Sequence, residues 1–382
     1  MTAIRQTLEI WIDELKTIVR DEGALIFCIL LPLAYPLAYS WIYNNEVVRE
    51  VPVVVVDDSN SALSRRFVQK LDASPDVLVA YRANSIEEGK DFIGHGEAYG
   101  IVYFPKDFAV STGRHEQAHV SVYCDMSYML TYKAIFQTVT AVADILGNDI
   151  KAQFAGNITQ RDEEISLKPL DFEEVPIFNT TAGYGNFILP GVLVLVIQQA
   201  MLLAVGLLAG TRRERRCQTP HGAVAAVMGK GMAYFMVFSV MLAYTTLAVP
   251  RLFGFVMMMH LGNWFVFMLP YTLACVFFSI AVGTFVRYRE DAMLIVVFTS
   301  LPLLFLSGLS WPQSALPMFW EYVGSLFPST FGIRGYVRMS SMGANVGDVL
   351  PELYAIWIQV AVYGCLAILL TYRRRIVDAA GD

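Results

Sequence analysis

The sequence predicts a polytopic α-helical membrane protein with six transmembrane helices and an inserted extracytoplasmic α/β domain. Three observations lead there. Of 382 residues, 55% are hydrophobic and only 16% charged, whereas a soluble domain carries about 25% charged residues. Several apolar runs of about 20 residues are long enough, at about 1.5 Å per residue, to cross about 30 Å of hydrocarbon. Between the first two runs, residues 44–180 have the mixed composition of a water-facing domain.

Residues 1–23 read as a cytoplasmic interfacial amphipathic helix. Ile4, Leu8, Trp11, Leu15 and Ile18 recur at helical spacing, and Arg5, Glu9, Asp13, Glu14, Lys16 and Arg20 take much of the other face. Such a helix lies along the membrane surface with Trp11 at the interface, or packs on its own membrane helices or a soluble partner. No short apolar run with a small-residue cleavage site marks a signal peptide. The first span is 24–43, with Pro32 and Pro36 one turn apart, a spacing that predicts a bent helix.

The insert, 44–180, holds 21 acidic and 12 basic residues. That acidic balance argues against nucleic acid as a partner. VPVVVVDDSNSALSRRFVQKL reads as a buried strand over Pro52–Val56, a turn, and a helix capped by Ser61. A second strand, a glycine-ended helix and two more strands give the order β-α-β-α-β-β, and 127–170 reads as mainly helical.

Five spans follow: 184–209, 230–250, 262–286, 292–311 and 353–372. Arginine clusters at 211–216, 287–289 and 373–375 assign both termini, the 210–229 connection and the 373–382 tail to the cytoplasm, with the large domain outside. Residues 312–340 are too apolar for a free loop and too often broken by proline and glycine for a crossing. They read as re-entrant extracytoplasmic helices, which makes Phe305, Leu306, Trp311, Pro312, Phe327 and Phe331 candidates for an external gate.

Chemistry-bearing motifs are thin. His221–Gly231 (HGAVAAVMGKG) fails the phosphate-loop test, because its glycines are wrongly spaced and Gly231 stands where Ser or Thr must hold magnesium. His115 and His119 have helical spacing but read as solvated residues rather than metal ligands. The five cysteines are scattered, with no disulfide framework or metal site. The spans carry almost no ionisable side chains, which argues against ion-coupled transport. Gln198 and Gln199 in the second span and Gln359 in the sixth read as interhelical hydrogen-bonding groups, with the first two also candidates for the pathway.

PVVVVDDSNSALSRRFVQKLDASPDV, AYGIVYFPKDFA, NFILPGVL, RRER, FLSGLSWPQSALP and LFPSTFGIRGYVR occur in the order expected for an ABC-2-type permease. The chain resembles the long branch of that family, with a large extracytoplasmic domain between the first two membrane helices. In the connection after the second span, only Arg213, Glu214, Pro220, Gly229 and Lys230 correspond to the family pattern. The resemblance implies a non-enzymatic permease subunit of a bacterial inner-membrane exporter. It would work as a homodimer or paralogous heterodimer above a cytoplasmic ABC ATPase dimer that binds ATP and magnesium, with no cofactor on this chain. Membrane lipid and a periplasmic adaptor are further implied partners, and the cargo is hydrophobic or amphipathic. Arg212, Arg213, Glu214, Arg215, Pro220 and Lys230 are then the expected coupling residues. A non-transporting membrane scaffold or receptor, whose external domain binds a protein partner, is the alternative.

Overall fold

Prolines and the polar groups that compensate them shape the long helices of this chain. The computed structural model describes residues 3–45, 47–114, 116–155, 178–179, 183–215 and 222–380. Among the described residues, five helices suffice by length and composition to cross a membrane: Glu22–Ile42, Tyr184–Glu214, Ala223–Phe253, Leu261–Gly283 and Val346–Ile376. Asp291–Leu306 is a shorter apolar helix. They are labelled below, in chain order, spans one to six, with the shorter Asp291–Leu306 taking the fifth place for naming only. The chain divides into two units, Met1–Glu46 with Pro176–Asp382, and Val47–Val175.

In the first span a π turn, Ile26–Leu30, precedes Pro32. Proline offers no N–H to the carbonyl four residues back, so the ladder widens there. The third span repeats the device: its π turn Tyr244–Ala248 runs into Pro250. Pro250 leaves the Thr246 carbonyl without its usual donor, and the Tyr336 hydroxyl donates to it at 2.8 Å. The Thr246 hydroxyl in turn accepts from Trp264 Nε1 at 2.9 Å. A backbone group freed in a membrane helix is thus satisfied by a neighbouring helix.

The fifth helix ends at Leu306, short of the expected 311. Gly308 adopts a left-handed φ of +85°, a conformation that stops a helix and suits glycine. Trp311 and Pro312 therefore lie in the connection rather than at the end of a span. At 16 residues the helix is about 24 Å long. After it come a short turn, Gln313–Ala315, and two helices, Met318–Ser325 and Pro328–Ser341.

The connection between the second and third spans is shorter than the expected 210–229. The second span continues helically through Thr211, Arg212, Arg213 and Glu214, and the third begins at Ala223, so Lys230 sits inside a helix. Alanine-rich sequence at 223–226 favours early helix entry.

The inserted unit is a four-stranded sheet: β1 (Val51–Asp57), β2 (Val77–Ala83), β3 (Gly100–Phe104) and β4 (Ser121–Cys124), in the order β2-β1-β3-β4. Strand β1 runs parallel to both neighbours, and β3–β4 is antiparallel. As a central strand covered on both faces, β1 carries an unbroken valine run over Val53–Val56. Val53 and Val55 pack with Phe67, Leu71, Phe104 and Ile135, while Val54 and Val56 pack with Ala83 and Ile101. Ser61 caps helix Ala62–Asp72 through a reciprocal bond with Ser64. A helix, Phe108–Gly113, stands between β3 and β4, where the sequence suggested two successive strands. Its six residues are too few for a periodic signal. Helix Met129–Ala155 follows.

Candidate functional site

Polar side chains of the membrane unit gather at two places: the end of the bundle rich in arginine, and the tip of the helix pair 318–341.

At the arginine-rich end, the N-terminal helix Ala3–Arg20 is bound to the spans. Ile10 is buried with Ala225 and Ala226. Gly229 allows this approach, since a Cβ there would lie 2.7 Å from the Thr7 carbonyl oxygen. Glu14, one helical turn from Ile10 and from Ile18, is only 2% exposed. It accepts hydrogen bonds from Arg212 of the second span and, at 2.7 Å, from the Tyr234 hydroxyl of the third. Burial pushes the Glu14 carboxyl up, but Arg212, Lys230 and the bonds from Arg212 and Tyr234 outweigh it, and the group stays below its ordinary range. The face expected on the membrane is divided. Ile4 and Leu8 are exposed and Ile18 is buried, while Trp11 is half-buried, its shielded indole N–H without a partner among the described residues.

A second clasp lies beside the first. Asp21, which caps the first span by accepting from Ala24 N–H at 2.9 Å, also receives both terminal nitrogens of Arg289, at 2.8 and 2.9 Å. Arg289 bonds Thr211 at 3.0 Å, and its backbone N–H donates to Glu214 at 2.9 Å. Arg213 donates to the Val286 carbonyl at 2.8 Å. The Arg289 hydrogen bond holds the Asp21 carboxyl below its usual range. Gly210 lets the strands of this clasp meet: a Cβ there would be 2.8 Å from the backbone of Tyr288 and Arg289. Bidentate arginine–carboxylate pairs of this kind fix geometry as well as energy.

Of the expected coupling residues, Arg212 therefore ties the N-terminal helix to the second span, and Arg213 and Glu214 tie the second span to the 286–289 connection. Lys230 lies close enough for its charge to act on Glu14. Arg215 is exposed just past the helix end. Pro220, with Arg216, falls outside the described residues.

The second gathering is the turn between Met318–Ser325 and Pro328–Ser341. Gln198, fully buried and midway along the second span, accepts from the Ser329 N–H at 2.6 Å. Gln359 donates to the Ser325 carbonyl at 2.8 Å, Tyr363 to the Leu326 carbonyl, and Thr330 to Gly324 at 2.7 Å. Helix ends cannot be left unsatisfied away from water. Three of these four caps come from the spans, so the buried glutamines serve the tip of the helix pair. Gln199 is also buried, and its amide has no partner among the described residues.

Phe327 sits at this tip with its ring edge-on to Phe278 at 5.7 Å. Leu306 is buried, its Cβ 3.3 Å from the place a Cβ on Gly324 would take. Phe331 lies beneath Arg334. Phe305, Trp311 and Pro312 are exposed and outside the junction. Helix Pro328–Ser341 lies against the fourth span through two glycines: Cβ atoms on Gly332 and Gly335 would fall 2.4 Å from Tyr271 and 2.0 Å from Phe267.

Sequence reasoning missed Glu14, Tyr234, Asp21 and Arg289. The signal for Glu14 was present: Ile10, Glu14 and Ile18 share one row at a spacing of four, a carboxylate set within an apolar stripe. Asp21 and Arg289 meet only in three dimensions.

The arrangement is a helical bundle whose buried polar groups fasten helices to each other. A family model described as "ABC-2 family transporter protein" matches residues 23–369, and the chain belongs to that family. Among curated proteins it is similar to the inner membrane transport permease YadH of Escherichia coli K12, with 25% identity over 174 residues, covering 43% of this chain and 65% of the relative. The YadH proteins of Escherichia coli O157:H7 and Shigella flexneri match to the same extent. The chain thus spans just under two thirds of the length of the curated relatives it matches. Family membership agrees with a chain that has, among its described residues, five helices long and apolar enough to cross a membrane.

Proposed function

We propose that this chain is the membrane-spanning subunit of an ATP-driven exporter, energised by a separate cytoplasmic ABC ATPase that holds the ATP and magnesium. It pairs with a second permease copy and moves a hydrophobic or amphipathic substrate out of the cytoplasm or inner membrane. The observation that carries this reading is the buried Glu14–Arg212–Tyr234 junction. A permease driven from outside the membrane needs a rigid surface on which a partner's motion acts. The junction, with the Asp21–Arg289 clasp, fuses the N-terminal helix to the ends of the first, second, third and fifth spans. The coupling surface is then the N-terminal helix together with Arg215 and the short connection behind it.

The topology has six crossings, with both termini and the arginine-rich end in the cytoplasm and the inserted domain outside. The fifth crossing is completed by the chain after Leu306: Leu309 packs against Gly191, two turns into the second span from its other end. The helix pair 318–341 dips into the outer half of the membrane, where its tip is capped at Gln198 depth, and forms the external gate. An adaptor protein on the inserted domain would extend the export route.

An ATPase encoded beside this chain should co-purify with it in mild detergent. Removing residues 2–12 should abolish that association while leaving the bundle assembled. Absence of any cognate ATPase in such a preparation favours the scaffold or receptor reading.

A further inference from the structure

Three carboxylates set into the bundle form ion pairs, Glu14 with Arg212, Asp21 with Arg289 and Glu352 with Arg338, and Lys230 lies within reach of the Glu14 charge. Arg334 differs. It is half-buried on helix Pro328–Ser341, and no carboxylate forms an ion pair with it among the described residues. Its Nε points to the Ser307 carbonyl at a long 3.4 Å, and its guanidinium carbon lies 5.9 Å from the centre of the Phe331 ring. Glu321 is engaged elsewhere, as acceptor from Gln313, and Glu352 is taken by Arg338 at 3.0 Å. The terminal nitrogens of Arg334 therefore have no hydrogen-bond acceptor among the described residues.

Glu321 and Glu352 act on Arg334 through their charge alone, and a cation held among membrane helices with no carboxylate bonded to it marks a functional position. Guanidinium presents a planar fork that matches phosphate or carboxylate oxygens two at a time. The Ser307 contact ties Arg334 to the end of the fifth span. Running back along that helix from the Ser307 end, Phe305, Leu301, Phe298 and, near its far end, Leu294 are all more than half exposed, forming an apolar row at helical spacing. From Phe298 to Phe305 the row is about 10 Å long, enough for the inner part of an alkyl chain.

We propose that Arg334 is the head-group site for an anionic amphiphile, a phosphate or carboxylate held by its guanidinium with the apolar tail laid along the Phe298–Phe305 row. The site does not depend on ATP-driven export, since a resident lipid would fill it as well as a cargo molecule.

The test uses the full chain in uncharged alkyl maltoside, titrated with dodecyl phosphate, with inorganic phosphate as competitor, and probed by native mass spectrometry for retained phosphatidylglycerol. Wild-type protein should bind dodecyl phosphate saturably. Arg334→Gln should weaken binding at least about tenfold, which is ~1.4 kcal/mol. Arg334→Lys, which keeps the charge and loses the fork, should fall between, and Arg251→Gln, at an exposed cation, should bind as wild type. Ligand-free thermal unfolding of each variant guards against a folding defect, and Arg334→Lys carries the comparison if Arg334→Gln does not fold. Phosphatidylglycerol retained by wild type but not by Arg334→Gln identifies resident lipid. Dodecyl phosphate binding without lipid retention identifies a free amphiphile. Equal affinity in wild type and Arg334→Gln, or displacement by inorganic phosphate at equal concentration, overturns the proposal.

Discussion

Glu14→Ala should destabilise the membrane unit by about 3–5 kcal/mol, the cost of leaving one member of a buried ion pair without its partner. The carboxylate is nearly inaccessible and holds Arg212 and the Tyr234 hydroxyl. Its loss takes the carboxylate from the Arg212 cation, 23% exposed, and leaves that charge facing Lys230. Thermal unfolding in detergent measures this directly. Arg212→Gln alone should cost a similar amount, and the Glu14→Gln/Arg212→Gln pair should cost clearly less than the sum of its single changes. Strict additivity would mean that the two residues do not act as a unit. The pH dependence has a fixed sign. Because the folded carboxyl titrates below its ordinary 4.5, its contribution is fully present above that value. It is lost only as pH falls through the depressed folded value. In a preparation with its ATPase, Glu14→Ala should also uncouple ATP hydrolysis from added amphipathic compounds, since the N-terminal helix would no longer move with the spans.

Gly335→Val should be the most damaging change in the helix pair. Even a single Cβ would fall 2.0 Å from Phe267 Cζ, and Phe267 is fully buried, so its ring cannot swing aside. Overpacking of this kind costs about 1–3 kcal/mol when the core yields, and here the neighbour is a rigid ring. The helix must lift from the fourth span, which would break the Tyr336–Thr246 and Ser329–Gln198 bonds together. A lowered unfolding temperature with loss of export is the expected result. Gly347→Ala, where a Cβ meets nothing within 4 Å, should behave as wild type. Phe267→Leu combined with Gly335→Ala should recover part of the stability lost by Gly335→Ala alone, because the smaller side chain vacates the contested space. Failure of that rescue would place the clash elsewhere.

Hydropathy made the spans legible, and valine-rich β1 and the Ser61 cap made the start of the inserted sheet legible, because those signals are local. Helix ends were less so. Arginine at 212–216 reads as loop, yet Arg212 and Arg213 continue the second span, because Glu14 and the Val286 carbonyl give their charges partners at the bundle end. Trp311-Pro312 reads as a boundary, while Gly308 had already ended the helix. Gln198 stood out in the sequence as a polar group in a membrane run. That it caps the Ser329 N–H could not be read there, since the two lie 131 positions apart. The same holds for Asp21 and Arg289, separated by 268 positions. Long-range pairs between short polar side chains leave no periodic trace.

Under the proposed function, motion of a separate ATPase drives export through this chain. The direct measurement is efflux of a labelled amphipathic compound in proteoliposomes containing the permease with its ATPase. Efflux should require ATP and magnesium, survive collapse of ion gradients, and vanish in Glu14→Ala while ATP hydrolysis continues. Efflux that persists without ATP and disappears with the ion gradient would contradict the account.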